Sequence, residues 1–234
     1  MAGASLPGSA QLTFRGPGEA FLEDDLIARE PITLFGNWFD TAAKTEGIQE
    51  PTAMSLATAT RDGCPSCRMV LMKSWGTEGF KFCTNYESRK GGEMEENPNV
   101  ALNFYWAPLH RCIRIEGRIE KLGSTESTQL FHARPLGSQI SAAISPQSQA
   151  IPGRNFLLEK EAQLRDKIGD KACVARPENW GGYLVIPERM EFWQGQTNRM
   201  HDRIQFRKRR LDDRVDGVVL HAGENGWVFE RLAP

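Results

Sequence analysis

The sequence predicts a mainly β protein with peripheral helices, organised as an antiparallel β-barrel. Short apolar runs alternate with turn residues along most of the chain, as at Arg61-Asp62-Gly63, and this pattern is typical of hairpins. Few helical segments separate the runs, which disfavours a doubly wound α/β fold. Neither G-x-G-x-x-G nor G-x-x-x-x-G-K-[ST] occurs, so Rossmann and P-loop nucleotide binding lack support.

The elements follow from periodicity and from their end signals. A helix is predicted from Pro31 to about Gly47, because apolar residues recur on one face of it. Ser88 is a candidate N-cap for a second helix, which Asn97-Pro98 ends. Further helices are predicted over 124–133, 137–144 and 154–168. Strands are predicted over 53–60, 68–73, 80–84, 100–106, 111–119, 182–186, 190–193, 199–207, 218–221 and 226–230.

Composition places the chain among ordinary globular proteins. The chain has 234 residues, of which 25% are charged and 40% hydrophobic. Its net charge of −1 creates no global field for nucleic acid or an anionic membrane, so any anion site must be local. We expect a flexible N-terminal tail over residues 1–18 and a single domain over 19–234. The first residues are a poor match to a mitochondrial presequence.

Five cysteines bear on the compartment and on metal binding: Cys64, Cys67, Cys83, Cys112 and Cys173. By spacing, the first two could form a redox pair or half a zinc site. No second C-x-x-C or H-x-x-x-H completes zinc ligation, so incidental thiols are favoured and no metal site is predicted. The odd count, with no signal peptide, indicates a reducing compartment, and the cytoplasm is expected.

Two basic clusters could bind anions. Arg89 and Lys90 follow Ser88 in the first helical turn, where cations oppose the helix dipole unless an anion docks there. In an extended strand Arg199, His201 and Arg203 would share one face, and their mutual repulsion would call for an electron-rich partner. Solvated surface charges are the plainer alternative for both clusters.

Three weaker patterns can each be interpreted in two ways, as part of a ligand site or as an ordinary structural feature. Arg134 and Ser138 could grip a phosphate or simply mark a helix-to-loop corner. The cations that bracket the strand 68–73 could reach a ligand at a barrel rim or extend to the surface. Trp193 could cover an aromatic ring or belong to the core.

Together these segments resemble the pyridoxine 5′-phosphate oxidases, a family of dimeric flavoproteins with an FMN-binding split β-barrel. The resemblance runs from about Phe14 to Pro234. Its most specific parts are 68–73, 86–91, 134–139, 180–183, 191–203 and 230–234. So many matches in order make chance similarity very improbable, although any one motif would be weak.

The resemblance implies a role for each candidate residue. It assigns Arg199 and His201 to catalysis, on either side of the substrate's pyridine ring. Substrate binding falls to Lys73, Arg134, Ser138, Arg199, Met200 and His201. FMN binding falls to Arg68, Met69, Val70, Leu71, Cys83, Thr84, Arg89, Lys90, Cys112, Gln147, Ser148, Trp193 and Arg203. The FMN site would lie at the interface of a homodimer.

The implied reaction oxidises C4′ of pyridoxine 5′-phosphate or pyridoxamine 5′-phosphate to give pyridoxal 5′-phosphate. A hydride equivalent passes to flavin N5, and O₂ then reoxidises the flavin and leaves as H₂O₂. The pyridoxamine form gives an imine, which water hydrolyses with release of ammonia. The cofactor carries the electrons, so the protein mainly has to place the two rings.

The sequence also departs from the family at several positions. Leu130 stands where a tyrosine usually joins the phosphate site, and Cys112 replaces a glutamine that contacts the flavin. Gln11 and Phe14 stand where the family has an Arg-x-x-Tyr that closes over substrate. Two alternatives therefore accompany the oxidase: a relative that binds FMN or pyridoxal phosphate with weak or no turnover, and a split-barrel flavin reductase with another substrate.

Overall fold

A computed structural model describes residues 20–169 and 174–234. The helices of the described residues are α1 Pro31–Lys44, α2 Arg89–Glu96, α3 Ser124–His132, α4 Leu136–Ile144 and α5 Arg154–Ile168, with 3₁₀ turns at Glu23–Asp25 and Ala107–Leu109. The strands are β1 Ala53–Ala59, β2 Pro65–Gly76, β3 Gly79–Asn85, β4 Asn99–Trp106, β5 Arg111–Lys121, β6 Trp180–Gln194, β7 Asp202–Lys208, β8 His221–Ala222 and β9 Trp227–Arg231. None of the helices in these two ranges is long and apolar enough to cross a bilayer.

The strands form one sheet that closes on itself. Their order is β3-β2-β1-β4-β5-β6-β7-β9-β8, and β3 also pairs with β6. That extra antiparallel pairing, in which Cys83 lies opposite Gly182, turns the six strands β1–β6 into a barrel. The remaining strands extend the sheet beyond β6. The predicted mainly β barrel with peripheral helices is therefore confirmed.

By its contacts the chain divides into two compact units. One comprises Met1–Pro51, Asn103–Ile115 and Glu188–Pro234, and the other comprises Thr52–Leu102 and Glu116–Pro187. Strands β4, β5 and β6 each contribute residues to both units. The single domain over 19–234 stays a prediction. The predicted flexible tail, residues 1–18, lies outside the described residues.

In the first unit, α1 packs an aromatic face on the sheet. Glu30 caps the helix by accepting from the backbone N–H groups of Ile32 and Thr33 at 2.9 and 2.6 Å. Phe35 lies 5.2 Å from the ring of Phe104, edge to face, and contributes to a fully buried core. The helix prediction is confirmed, although the helix ends at Lys44 and not near Gly47.

In the second unit, β1 and β3 bury alternate side chains and α2 sits beside them. The side chain of Ser88 accepts from the backbone N–H of Gly91 at 3.3 Å, so the predicted N-cap is confirmed. Gly91 has no room for a side chain, because a Cβ there would lie 2.0 Å from the carbonyl oxygen of Tyr86. The start of α2 is thereby fixed closely against the end of β3.

Four strand predictions are wrong in part. The strands predicted over 182–186 and 190–193 are one strand, β6, since Pro187 removes only a single donor and does not end the pairing. Of the strand predicted over 218–221, only His221 pairs, in β8. There the carboxylate of Asp216 accepts from three successive backbone N–H groups, at 2.8–3.1 Å, which would otherwise serve a strand. The strand predicted over 199–207 begins at Asp202.

Candidate active site

A cavity of about 350 Å³ in the second unit gathers most of the cations that the sequence singled out. We call it the basic cavity. Its lining includes four cations, Arg68, Lys73, Lys90 and Arg134, and no carboxylate among the described lining residues. Strand β2 supplies the first two, the start of α2 supplies Lys90, and Arg134 lies between α3 and α4. Such a cavity favours an anion with more than one negative charge.

At one end of the basic cavity, Lys90 is held by uncharged oxygens. Its Nζ donates to Gln147 Oε1 at 2.9 Å, to Thr84 Oγ1 at 3.2 Å and to Ser88 Oγ at 3.3 Å. Burial lowers the pKa of Lys90, and the positive charge of Arg68 lowers it further. A bound anion would reverse both effects, because it would neutralise the buried ammonium.

At another point of the same cavity, Arg134 has a buried nitrogen with no partner. Its Nη1 makes no hydrogen bond within residues 20–169 and 174–234. The guanidinium carbon lies 4.9 Å from the ring centroid of Trp180, which orients the group. Burial lowers the pKa of Arg134. A buried donor without an acceptor is costly, so this geometry suits an anionic ligand.

Most of the predicted FMN-contacting residues of the second unit line the basic cavity: Arg68, Met69, Val70, Leu71, Cys83, Thr84, Lys90 and Gln147. Three predicted residues do not line it, namely Arg89, Ser138 and Ser148. The Arg89 side chain is 65% exposed, and its Nε donates to Glu93 at 2.8 Å. Cys83 does line it, with a pKa that burial raises to about 11, so it remains a neutral thiol.

A second cavity, of about 440 Å³, lies in the first unit, and we call it the Trp193 cavity. It brings together four predicted site residues, Cys112, Trp193, His201 and Arg203. The remaining lining residues are Asn103, Tyr105, Arg114, Glu191 and Pro234. The register that pairs β6 with β7 places Trp193 opposite Arg203, which sets these two predicted side chains beside each other.

A buried carboxylate organises the Trp193 cavity. Glu191 accepts from Arg114 Nη2 at 2.6 Å and from Arg203 Nε at 2.7 Å. The hydrogen bond to Glu191 raises the pKa of Arg203. Cys112 donates its thiol proton to Asn103 Oδ1 at 2.9 Å. Burial raises the pKa of Cys112, as does the nearby charge of Glu191, so this side chain stays uncharged.

His201 is fixed in the same cavity by a backbone contact and by an aromatic ring. Its Nδ1 accepts from the backbone N–H of Gln196 at 3.0 Å, which assigns the proton of the neutral imidazole to Nε2. The ring centroid of Trp193 lies 4.8 Å away. Burial lowers the pKa of His201, and the charge of Arg199 lowers it further. The neutral ring is therefore favoured at neutral pH.

The proposed common face of Arg199, His201 and Arg203 is wrong. Arg199 has φ 64°, in the left-handed region, and its backbone N–H donates to Gln196 O at 3.1 Å. It belongs to an exposed turn that precedes β7, so the alternation of an extended strand does not apply. Neither Arg199 nor Met200, which is 66% exposed, lines the Trp193 cavity.

Sequence reasoning missed the ion pairs that hold this turn. Buried Asp202 accepts from Arg231 Nη1 at 2.8 Å and from Gln196 Nε2 at 2.6 Å. Arg231 also donates to both carboxylate oxygens of Glu23 at 2.8 Å. Because Gln196 also contacts His201, the network links the imidazole to β9 and to the segment before α1.

Some of the missed residues had a signal in the sequence. Glu191 stands two residues before Trp193, the spacing that puts both on one face of a strand. Glu93 stands four residues after Arg89 on a predicted helix, where opposite charges pair. Ser141 on α4 and Ser145, the residue that directly follows α4, line the basic cavity and have the same four-residue spacing.

Comparison with known proteins identifies the family of this chain. A family model described as pyridoxamine 5′-phosphate oxidase matches residues 40–166. A second, described as the pyridoxine 5′-phosphate oxidase C-terminal dimerisation region, matches residues 180–234. The chain belongs to the pyridoxine 5′-phosphate oxidase family. The resemblance stated from the sequence is thereby confirmed.

Individual relatives in this family cover almost the whole chain. The chain is 50% identical to pyridoxine-5′-phosphate oxidase of Bos taurus, over 97% of its own length and 87% of that protein. It is 49% identical to pyridoxine/pyridoxamine 5′-phosphate oxidase of Bombyx mori, over 97% and 89%. Among solved structures, PhzG of Burkholderia lata, in complex with tetrahydrophenazine-1-carboxylic acid, superposes with a TM-score of 0.76 at 30% identity, covering 92% of this chain and 98% of that one.

Proposed function

We propose that this protein oxidises pyridoxine 5′-phosphate or pyridoxamine 5′-phosphate to pyridoxal 5′-phosphate, with FMN as cofactor and with O₂ reduced to H₂O₂. The observation that carries the proposal is the basic cavity. Its four cations stand without a carboxylate among its described lining residues. FMN and substrate each bring one phosphate, so the reaction needs cations for two phosphate groups.

The residues around Lys90 fit the FMN phosphate. The positive end of the α2 dipole favours an anion there, and burial together with the positive charge of Arg68 lowers the pKa of Lys90, an effect that a bound phosphate would oppose. Arg68, which lines the same cavity, adds a second cation. When bound, FMN supplies the two-electron acceptor for the oxidation and passes the electrons to O₂.

Lys73 and Arg134 fit the substrate phosphate. Both line the basic cavity. Arg134 offers Nη1, which has no hydrogen-bond partner among the described residues, together with a planar guanidinium suited to two phosphate oxygens. Ser138 follows Arg134 at the start of α4 and would add a hydroxyl donor. A phosphate held by these groups positions the pyridine ring, and positioning supplies much of the rate of such a reaction.

His201 and Arg199 would act on the pyridine ring. With Nδ1 engaged by the Gln196 backbone, the neutral imidazole presents an N–H donor at Nε2. Trp193 limits the rotation of that ring. Arg199 brings a positive charge near the imidazole and would stabilise electron-rich states of the substrate. Met200 would add an apolar contact from the same turn.

We further propose that the protein works as a homodimer in which the basic cavity of one copy meets the Trp193 cavity of the other. The match of residues 180–234 to a dimerisation region supports this arrangement. Cys112, Trp193 and Arg203 would then contact the same flavin as Arg68 and Lys90. Chains carrying Lys90→Met and chains carrying Arg203→Met should both be inactive alone.

Mixing those two inactive variants tests the dimer. Random exchange of subunits makes half of the dimers mixed, and each mixed dimer holds one intact site of two, so about a quarter of wild-type activity should return. If each site were built within a single chain, every site of a mixed dimer would carry one lesion and activity would not return. Size-exclusion chromatography checks that the variants still assemble.

The proposed activity has a direct assay. Purified protein supplied with FMN should form pyridoxal 5′-phosphate and H₂O₂ from either substrate, and the pyridoxamine form should also release ammonia. Unphosphorylated pyridoxine should be a much poorer substrate, because it leaves Lys73 and Arg134 unpaired. FMN-loaded protein that turns over neither phosphorylated substrate would contradict the proposal. The single domain and the cytoplasmic location remain predictions.

A further inference from the structure

Glu93 is a buried carboxylate that stands behind the basic cavity without lining it. The residue, on α2, is 6% exposed and accepts from four side chains. Thr58 Oγ1 and Ser66 Oγ each donate to Oε2 at 2.5 Å, and Arg68 Nη2 lies 3.3 Å from the same oxygen. Arg89 Nε donates to Oε1 at 2.8 Å. Arg68 and Arg89, two of the three arginines predicted to hold FMN, thus converge on one carboxylate.

The carboxylate remains ionised in spite of its position. Burial alone would raise the pKa of Glu93, but the hydrogen bonds from Ser66, Thr58 and Arg89 outweigh it and bring the pKa down to about 2. Glu93 is therefore an anion at every pH at which the enzyme would work. A negative charge beside a phosphate site weakens phosphate binding by repulsion. Because this repulsion opposes FMN binding, we expect Glu93 to favour FMN binding in some other way.

That role is visible in the contacts of Arg68. Its Nη1 donates to Leu56 O at 3.1 Å and to Thr58 Oγ1 at 2.5 Å, and its Nη2 donates to Ser66 Oγ and Glu93. The two hydroxyls that hold the guanidinium also donate to Glu93. The carboxylate thus fixes the two hydroxyl acceptors as well as the arginine itself. A long side chain that is already ordered loses less conformational entropy when a ligand binds.

We propose that Glu93 is a positioning residue for FMN: it orders Arg68 and Arg89 so that they can meet the cofactor. The inference rests on the proposed function. The proposal predicts whether replacing Glu93 tightens or weakens FMN binding. Repulsion between Glu93 and the phosphate opposes binding, whereas ordering of the two arginines favours it. If Glu93 acted only as a neighbouring negative charge, Glu93→Gln would tighten FMN binding. If it positions the arginines, the same substitution weakens FMN binding, by roughly ten- to a hundredfold.

The test is a titration of the FMN-free protein by quenching of flavin fluorescence, with FMN and with riboflavin, which lacks the phosphate. Glu93→Gln should weaken FMN binding and leave riboflavin binding unchanged. Glu96→Gln, an exposed change of the same type on α2, is the matched control and should alter neither. FMN binding by Glu93→Gln that is equal or tighter overturns the inference, and so does an equal loss for both ligands, which would indicate a collapsed site.

Two further measurements distinguish a failure of this inference from a failure of the variant to fold and from a failure of the proposed function. If Glu93→Gln does not fold, Ser66→Ala removes, without a change of charge, the hydroxyl that accepts from Arg68 and donates to Glu93. It should weaken FMN binding in the same direction and by less, and unchanged binding would again overturn the inference. If the wild-type protein binds no FMN, the proposed function fails and the inference falls with it. If the wild type binds FMN and makes pyridoxal 5′-phosphate, only the role of Glu93 is at stake.

Discussion

Replacing Arg134 by methionine should stabilise the ligand-free protein and at the same time weaken substrate binding. Arg134 Nη1 is buried and makes no hydrogen bond within the described part of the chain. A buried donor without a partner costs about 1–3 kcal/mol. Methionine fills a similar volume and removes that donor, although it also loses the contact with Trp180, worth about 0.5–1 kcal/mol.

The balance of these terms is a gain of about 1 kcal/mol, or a rise of roughly 2–4 °C in Tm for a chain of this length. Substrate binding should change in the opposite sense. Arg134→Met removes a charged hydrogen bond to phosphate, worth about 1.5–3 kcal/mol, so KM should rise roughly ten- to a hundredfold. In the proposed complex the substrate phosphate would supply the acceptor that this nitrogen lacks among the described residues, so one atom accounts for both effects.

Thermal unfolding of FMN-free protein and steady-state kinetics of holoenzyme measure the two effects. The buffer must contain no phosphate or sulfate, since either anion would satisfy the arginine and hide the gain in stability. Arg165→Met on α5 is the control: Arg165 is 50% exposed and pairs only with Glu161 in the contacts described. Its Tm and KM should stay close to wild type. A lower Tm for Arg134→Met together with an unchanged KM would refute the reasoning.

Three other substitutions have defined outcomes. Leu130→Tyr should lower the substrate KM, by roughly tenfold, with kcat changed less, because it restores a donor to phosphate; an unchanged KM would show that Leu130 is not a lost phosphate ligand. Arg199→Gln should raise the pKa of His201, followed by NMR titration of the imidazole, since a neighbouring positive charge disfavours the protonated ring; an unchanged pKa would exclude that coupling. Asp202→Ala should destabilise the fold by about 2 kcal/mol, below the value for a fully buried pair because Arg231 is 33% exposed, and lower Tm by roughly 4–8 °C in thermal unfolding; a Tm within experimental error of wild type would contradict this.

Local signals predicted the elements that depend on local chemistry. Ser88 caps α2 as expected, because a serine hydroxyl can accept from the backbone three residues later whatever surrounds it. The face of α1 that carries Phe35 and Trp38 is buried as its period predicted. Resemblance, and not periodicity, assigned the individual FMN and substrate contacts, and many of those residues do gather in two cavities.

The sequence could not predict geometry that distant contacts impose. Nothing about an arginine in this position predicts a left-handed backbone conformation. In the structure Arg199 adopts one, because its backbone N–H bonds to Gln196 and the Asp202–Arg231 ion pair holds the turn. Trp193 meets Arg203 only because β6 and β7 pair in one particular register. For both residues a partner that local patterns do not identify decides the outcome. Asp216 is a local case that the strand prediction did not weigh, because its carboxylate accepts from backbone N–H groups two to four residues later.

The departures from the family pattern are better explained by weaker substrate binding than by lost chemistry. The phosphate takes no part in the oxidation at C4′. A phosphate contact therefore stabilises the bound substrate and the transition state alike, and its loss raises KM while leaving kcat nearly unchanged. Leu130 removes one such donor, but Lys73 and Arg134 still line the basic cavity. Cys112 adds no charge to the Trp193 cavity, since burial raises the pKa of its thiol. His201, with its proton at Nε2, keeps the donor that the proposed reaction would use. These contacts favour a working oxidase with a raised KM over a relative that binds without turnover.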